Sequence, residues 1–472
     1  MAAAVVLALG ATGLVLAVLD SRRADARWDA LAELGWPLVD LGEPVAEVWR
    51  TDVGGGWPTV VTSDVVVVEE WSPTASGSTW RALDVTTGAT VWEHQARGSG
   101  WCSPWNPEWS ELDEGALGYG PAQVALGLTG RVDPTLLLCS DASFSGALPQ
   151  PGETSSLRVL DLAGGREVDV VVEGSLLSHD PVGGDVIVTA VLADGTLGLT
   201  RAGLRTGADV WARATDVVVV GPDGVFLGSW PTVRDGVVLV AGSDGEIDAV
   251  LDAETGEPAT TVPEAMDVQA GLAGRLTLPD GSVAIVDYEI TPMGDGSGSY
   301  LVGEPAVTVQ GPDGAERFSV RGELWSPVFT DGSMADRVLV RGPGEGESSR
   351  VVALDVVTGE ELWTTRAGWS STLLQVDGVA VSGSGFISGI DLRTGEELWE
   401  HRGSNADLTM PVTDGSRLAV PVAEDGATFL VALDIRSGAE AWRVPTISDV
   451  QAVSVVDGGV LLGNGTTFVL YR

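Results

Sequence analysis

Apolar and polar positions alternate along most of the chain in short runs punctuated by turn residues, the pattern of strands and not of helices. The run Val351-Val352-Ala353-Leu354-Asp355 predicts a strand, Thr358-Gly359 a turn, and Glu361-Leu362-Trp363 the returning strand. Another apolar run precedes each such hairpin, as at Val338-Leu339-Val340 and Val379-Ala380-Val381, and an earlier one, Val328-Phe329, is followed by Asp-Gly. Four short antiparallel strands in about 40–50 residues describe one repeating unit.

The unit recurs. ALDVTTGATVW (residues 82–92), ALDVVTGEELW (353–363), GIDLRTGEELW (389–399) and ALDIRSGAEAW (432–442) share one frame: a small residue, Asp two later, Thr or Ser before Gly, and Trp four after that Gly. Weaker copies lie at residues 159–168, 201–211, 250–260 and 307–318. The glycines at 359, 395 and 438 are 36 and 43 residues apart, whereas 77 separate Gly88 from Gly165 and mark an insertion.

This frame resembles the tryptophan-docking motif of the quinoprotein-type, PQQ-like β-propeller repeat family, over roughly residues 43–472. The resemblance implies an all-β fold, a β-propeller of four-stranded antiparallel blades. Trp49, Trp92, Trp211, Trp363, Trp399 and Trp442 would each pack between blades, over glycine peptides such as those of Gly88, Gly359, Gly395 and Gly438. Burying one indole contributes about 3 kcal/mol. Ala46-Glu47-Val48-Trp49 reads as an outer strand with no strands before it, and residues 466–471 read as a unit missing its outer strand. Pairing 43–50 with the C-terminal strands would close the ring. Eight hairpins and this composite unit count to nine; eight blades, the commoner size, are expected within a range of seven to nine.

Residues 2–19 form one apolar stretch, ended by Asp20, Arg22, Arg23 and Arg27. At 1.5 Å per residue it is roughly 27 Å long, enough to cross a hydrocarbon core. With neither a basic leader nor a small-x-small cleavage site, it predicts an uncleaved transmembrane helix (residues 1–20). Residues 21–42 are expected to form a juxtamembrane stalk, with a short helix at 27–34. The Arg residues that follow the helix would place that flank in the cytoplasm. The repeat type and the sparse, even cysteine count point outward instead, so the propeller is expected on the extracytoplasmic side of the cell membrane.

Composition narrows the chemistry. The formal net charge is −41, and all 26 basic residues are Arg. Without Lys there is no Schiff base and no P-loop lysine, and a surface this acidic repels phosphate backbones, which argues against nucleic acid. Cys102 and Cys139 are the only cysteines. They are read either as one disulfide or as two unrelated buried thiols.

Quinoprotein enzymes hold their cofactor with calcium on Glu, Asn and Asp ligands above a pair of adjacent cysteines. Here the cysteines are 37 positions apart, no ligand set can be matched, and no cofactor, metal or catalytic residue is assigned. His94 and His401 each follow a docking Trp by two residues, a strand-exit position that predicts packing. The insertion at residues 101–135 gathers Trp101, Trp105, Trp109 and Tyr119 among acidic residues. It is read either as a partner loop pinned by a disulfide or as a cap over one end of the channel. The expected function is a non-catalytic, membrane-anchored scaffold for cell-envelope proteins or a small ligand. A PQQ-dependent dehydrogenase is the alternative.

Overall fold

The computed structural model describes residues 28–29, 31, 38–71, 78–95, 102–106, 134–140, 148–220, 230–234, 236–241, 247–259, 275–278, 280–292, 300–325, 330–342, 349–367, 372–383, 386–402 and 412–472. The expected transmembrane segment lies outside them. Among the described residues no helix is long and apolar enough to cross a membrane. Trp28, Asp29 and Leu31 of the expected stalk helix are helical.

Nine sheets form among the described residues, one more than the eight expected. Eight have four strands; the fourth in chain order has three. Sheet 1 runs from strand Gly56–Val61 to Thr90–Gln95, sheet 2 from Cys102–Trp105 to Glu167–Glu173, and sheet 3 from Ser175–Val182 to Asp209–Val218. Sheet 4 runs from Trp230–Arg234 to Ile247–Asp252, and sheet 5 from Arg275–Thr277 to Glu316–Arg321. Sheet 6 runs from Glu323–Leu324 to Glu361–Ala367, sheet 7 from Thr372–Val376 to Glu397–Arg402, and sheet 8 from Val412–Thr413 to Glu440–Pro445. Sheet 9 is composite: Ala452–Val456, Gly459–Gly463 and Thr467–Tyr471 are completed by Glu47–Asp52, which pairs Trp49 with Leu470.

The chain divides into two compact units, one of Met1–Asp52, Leu128–Arg131 and Trp325–Arg472, the other of Val53–Gly127 and Val132–Leu324. In each, the core consists of apolar slabs between consecutive sheets. In the first unit, Val381 of sheet 7, Val420 and Leu430 of sheet 8 and Val469 of sheet 9 share one cluster. In the second, Val67 of sheet 1 meets Leu160 of sheet 2, and Val159 of sheet 2 meets Val188 of sheet 3. Middle strands are therefore covered on both faces, and their sequences are continuous apolar runs such as LLLCS and GVLLG. Outer strands alternate. Thr90–Gln95, Glu440–Pro445 and Glu47–Asp52 have the same burial pattern, with the Trp at its buried position.

Each position of the recurring frame has a physical duty. The small residue lies directly across from the Trp of its own hairpin: Ala82 with Trp92, Ala353 with Trp363, Gly389 with Trp399, Ala432 with Trp442. A Cβ on Gly389 would stand only 2.4 Å from the Trp399 ring. The Asp caps the turn: Asp84 Oδ1 accepts from the backbone N–H of Thr86 (3.0 Å) and Thr87 (2.8 Å) and from the Thr87 hydroxyl (2.7 Å). Asp252, Asp355 and Asp434 repeat the contact with Thr255, Thr358 and Ser437. These hydrogen bonds to the ionised form hold Asp84, Asp252 and Asp355 below the usual carboxylate range.

The Gly that follows closes the turn at positive φ, 74° at Gly395. The Trp of the preceding sheet lies on it, so that a Cβ on Gly395 would stand 2.6 Å from Trp363 and one on Gly165 2.7 Å from Trp92. The indole N–H then donates to the carbonyl just after the capping Asp. Trp92 reaches Leu162 (2.9 Å), Trp211 reaches Ala253 (3.2 Å), Trp363 reaches Leu392 (2.8 Å) and Trp399 reaches Ile435 (2.8 Å).

Within residues 38–42, assigned to the stalk from sequence, Val39 and Leu41 belong to the core. Val39 and Leu41 are buried, Val39 N–H donates to Thr413 O (3.2 Å), and Trp442 donates to Leu41 O (2.8 Å). Their run of apolar residues at alternate positions is the reason: it fills the place that a third-to-fourth-strand turn takes in the other sheets.

Candidate functional site

The first strands of sheets 2 and 3 bring together the polar and redox groups least explained by the repeat. Cys102 and Cys139 pair directly across the first two strands of sheet 2 and form a disulfide, with Cα atoms 4.1 Å apart. Cys139 is fully buried among Val67, Trp80 and Leu160. The link clamps the base of the insertion, whose residues 107–133 lie outside those described, as do Trp101, Trp109 and Tyr119. Trp105 belongs to strand Cys102–Trp105 and not to a free loop. Half-buried against Leu136 and Val172, it donates to Gly183 O of sheet 3 at 3.3 Å. It takes over the link between sheets 2 and 3, where the frame puts Asp169 in place of Trp and Val168 lies against Gly207.

Beside the disulfide, Ser103 Oγ is hydrogen-bonded to His179 Nε2 at 2.9 Å, joining the first strands of sheets 2 and 3. Burial pushes His179 down to about 4, so the imidazole is neutral at physiological pH. Burial also raises its neighbour Asp180, to about 6. A hydroxyl next to a neutral imidazole is the beginning of a nucleophile–base pair; here His179 is 6 % exposed and Ser103 is half-buried, and their bond ties the two strands together. The arrangement serves as a polar rivet.

The other histidines also sit between sheets. His94 Nε2 donates to Gly165 O (2.6 Å), and its Nδ1 lies 3.3 Å from Glu167. The same Glu167 pairs with the buried Arg158 at 2.7 Å, and Arg158 donates to Gln95 O (3.0 Å). His401 occupies the matching place beside Glu440, whose carboxyl is held low chiefly by Arg443. Arg158 is a joint that sequence reasoning missed, since nothing in its strand distinguishes it from a surface Arg.

Trp49, Trp92, Trp363 and Trp442 are buried, and Trp211 and Trp399 are half-buried. Gly88, Gly359, Gly395 and Gly438 all have positive φ, between 64° and 74°. Among the described residues, no three His, Cys, Asp or Glu side chains are grouped to hold a metal ion. Both cysteines are committed to a cross-strand bond, so the adjacent pair of the quinone enzymes has no counterpart.

The small residue opposite an indole, the capped turn and the indole-to-carbonyl bond together decide the type of repeat. Over residues 309–470 the repeats are PQQ-like. Residues 309–470 match the family profile described as outer membrane protein assembly factor BamB, roughly a third of the chain. No curated protein matches significantly. Among solved structures, BamB from Moraxella catarrhalis is 17% identical over 91% of this chain and 100% of that one, with a TM-score of 0.34. The quinohemoprotein alcohol dehydrogenase ADHIIG from Pseudomonas putida HK5 is 12% identical over 93% of this chain and 78% of that one (TM-score 0.35). The dihydro-heme d1 dehydrogenase NirN is 15% identical over 87% and 77% (TM-score 0.36). At these scores none of the three bears on how the PQQ-like sheets are arranged as a whole.

Proposed function

We propose that this chain is a PQQ-like β-propeller that works as a non-catalytic interaction module for other cell-envelope proteins. Residues 2–19 tether it to the membrane, with the propeller on the extracytoplasmic side. The observation that carries this reading is the division of labour within the repeat. The recurring Asp, Thr or Ser, Gly and Trp hold sheet 1 to 2, 3 to 4, 6 to 7, 7 to 8 and 8 to the turn that completes sheet 9, which makes a firm platform within each unit and leaves the turns and insertions to vary. First strands of successive sheets also adjoin within each unit, as a radial array requires: Gly56–Val61 with Cys102–Trp105, and Val412–Thr413 with Ala452–Val456. The family profile over residues 309–470 supports an assembly role at the envelope.

Affinity capture of the full chain from cross-linked native membranes tests the proposal. An envelope protein recovered in stoichiometric amount, and lost when residues 107–133 or another variable loop are replaced, supports it. Recovery of nothing, together with a saturable absorbance and thermal shift on adding PQQ and calcium, overturns it in favour of a quinone enzyme.

A further inference from the structure

The first strand of sheet 3, Ser175–Val182, puts polar side chains on both faces of that sheet. On the face toward sheet 2, His179 lies opposite Val188 and has the Ser103 hydroxyl as its partner. The face toward sheet 4 is different. Asp180 lies opposite Ile187, which packs with Val238 and Val240 of sheet 4. Two positions along the same pleat, Ser178 and Thr189 stand directly opposite each other.

A bulge creates this arrangement. The register passes from Leu176–Ala190 to Ser178–Thr189, so Leu177 is an extra residue, and it packs in the slab between sheets 3 and 4. In a regular strand Ser178 and Asp180 would share the face of Leu176, which packs toward sheet 2. The extra residue turns both of them toward sheet 4.

The oxygens gathered there have no partners. Thr189 is fully buried, and neither its hydroxyl nor the buried Ser178 Oγ makes a hydrogen bond. Asp180 is half-buried, and burial alone acts on its carboxyl, without a hydrogen bond or a neighbouring charge. Buried hydroxyls ordinarily find a partner, and a buried carboxylate needs a counter-charge. Asp180, on the first strand, is the most accessible of the three, and Thr189, on the second, is the deepest.

The chemistry of the three groups selects what meets them. Oxygen donors alone favour a hard cation over the metals that prefer nitrogen or sulfur. One carboxylate is neutralised by one positive charge, whereas a divalent ion would leave a net charge beside Ile187, Val191 and Leu199. We infer that Asp180, Ser178 and Thr189 form a site for a single monovalent alkali cation, sodium or potassium, between sheets 3 and 4. The ion ties the first two strands of sheet 3 together where they face sheet 4, independently of the envelope role proposed above.

Melting of the purified full chain at pH 8 tests it, with choline chloride replaced stepwise by sodium or potassium chloride at constant ionic strength. Asp180, raised to about 6, is ionised there. The melting temperature is expected to rise saturably by several degrees with the alkali ion, and Asp180→Asn to abolish the rise. Thr189→Val keeps the shape and the carboxylate, and is expected to raise the half-saturating concentration about fivefold. No rise in the parent, an equal rise in Asp180→Asn, or an unchanged half-saturation in Thr189→Val overturns the site. Saturation by calcium at lower concentration than by either alkali ion overturns the monovalent assignment.

Discussion

The Trp442 indole N–H donates to the carbonyl oxygen of Leu41, 401 positions earlier, at 2.8 Å. Among the described residues the same bond links neighbouring sheets four more times, and of these five only Trp442 has its acceptor near the opposite end of the chain. Trp442→Phe keeps most of the buried ring and strands the carbonyl, at a cost of about 1–2 kcal/mol. Trp442→Ala adds a cavity and costs about 3–5 kcal/mol. Urea unfolding of both variants checks the order and the gap.

The glycines separate backbone strain from contact. Gly395 and Gly426 both have positive φ, 74° and 80°, but only Gly395 lies under an indole, that of Trp363. Gly426→Ala is expected to cost about 1 kcal/mol, from conformation alone. Gly395→Ala must also displace the ring and is expected to cost about 3 kcal/mol. Equal losses in thermal or chemical unfolding would show that the indole does not rest there.

Acid acts on the turns. Asp84, Asp252 and Asp355 are held low by hydrogen bonds, and Asp280 is held at about 2, chiefly by the Ser282 hydroxyl and also by Arg317. A depressed folded-state value gives stability that is full above the unfolded carboxylate value of about 4 and is lost as pH falls through the folded value. Unfolding free energy should therefore drop as pH falls from 4 to 2, and an Asp280→Asn variant should show a shallower drop.

His179 and Asp180 oppose each other at milder pH. Neutral burial of His179 (about 4) gives stability that is lost as pH falls from its unfolded value of about 6.5. The raised value of Asp180 (about 6) gives stability that is present at low pH and lost as pH rises through 6. The two nearly cancel between pH 4 and 6. Asp180→Asn should expose the His179 slope, seen as a melting temperature that falls on acidification across this window while the parent stays nearly flat.

The disulfide is a staple with a measurable strength. It closes a 37-residue separation, for which the chain-entropy model gives about 3–4 kcal/mol. A Cys102→Ala/Cys139→Ala double variant should lose that much stability, while retaining the far-ultraviolet signature of an all-β chain.

Most of the architecture was legible in the sequence because its signal is local. Strand alternation, the capped Thr-Gly turn and the Trp four residues later all fall within eleven positions. The composite ninth sheet was legible too, since Val48-Trp49 carries an outer-strand pattern without a hairpin of its own. What escaped depends on contacts between sheets. Residues 38–42 look like linker because the turn they imitate is defined by a tryptophan some 400 positions away. Trp105 reads with the insertion, as partner contact or as cap, because its role in the sheet shows only through Gly183 O of the next sheet, which its indole reaches where Asp169 stands in place of a docking Trp. Ser103–His179 has no motif at all; only the adjacency of two first strands creates it.

Exchange at the indole nitrogens tests the inter-sheet docking most directly. In the full chain labelled with 15N-tryptophan and assigned by single Trp→Phe substitutions, the indole N–H groups of Trp92, Trp211, Trp363, Trp399 and Trp442 are each bonded to a carbonyl of another sheet or its surrogate. They should resist exchange with deuterium long after Trp57, which is 38 % exposed, has exchanged completely. Exchange of those five at the rate of Trp57 would contradict the account.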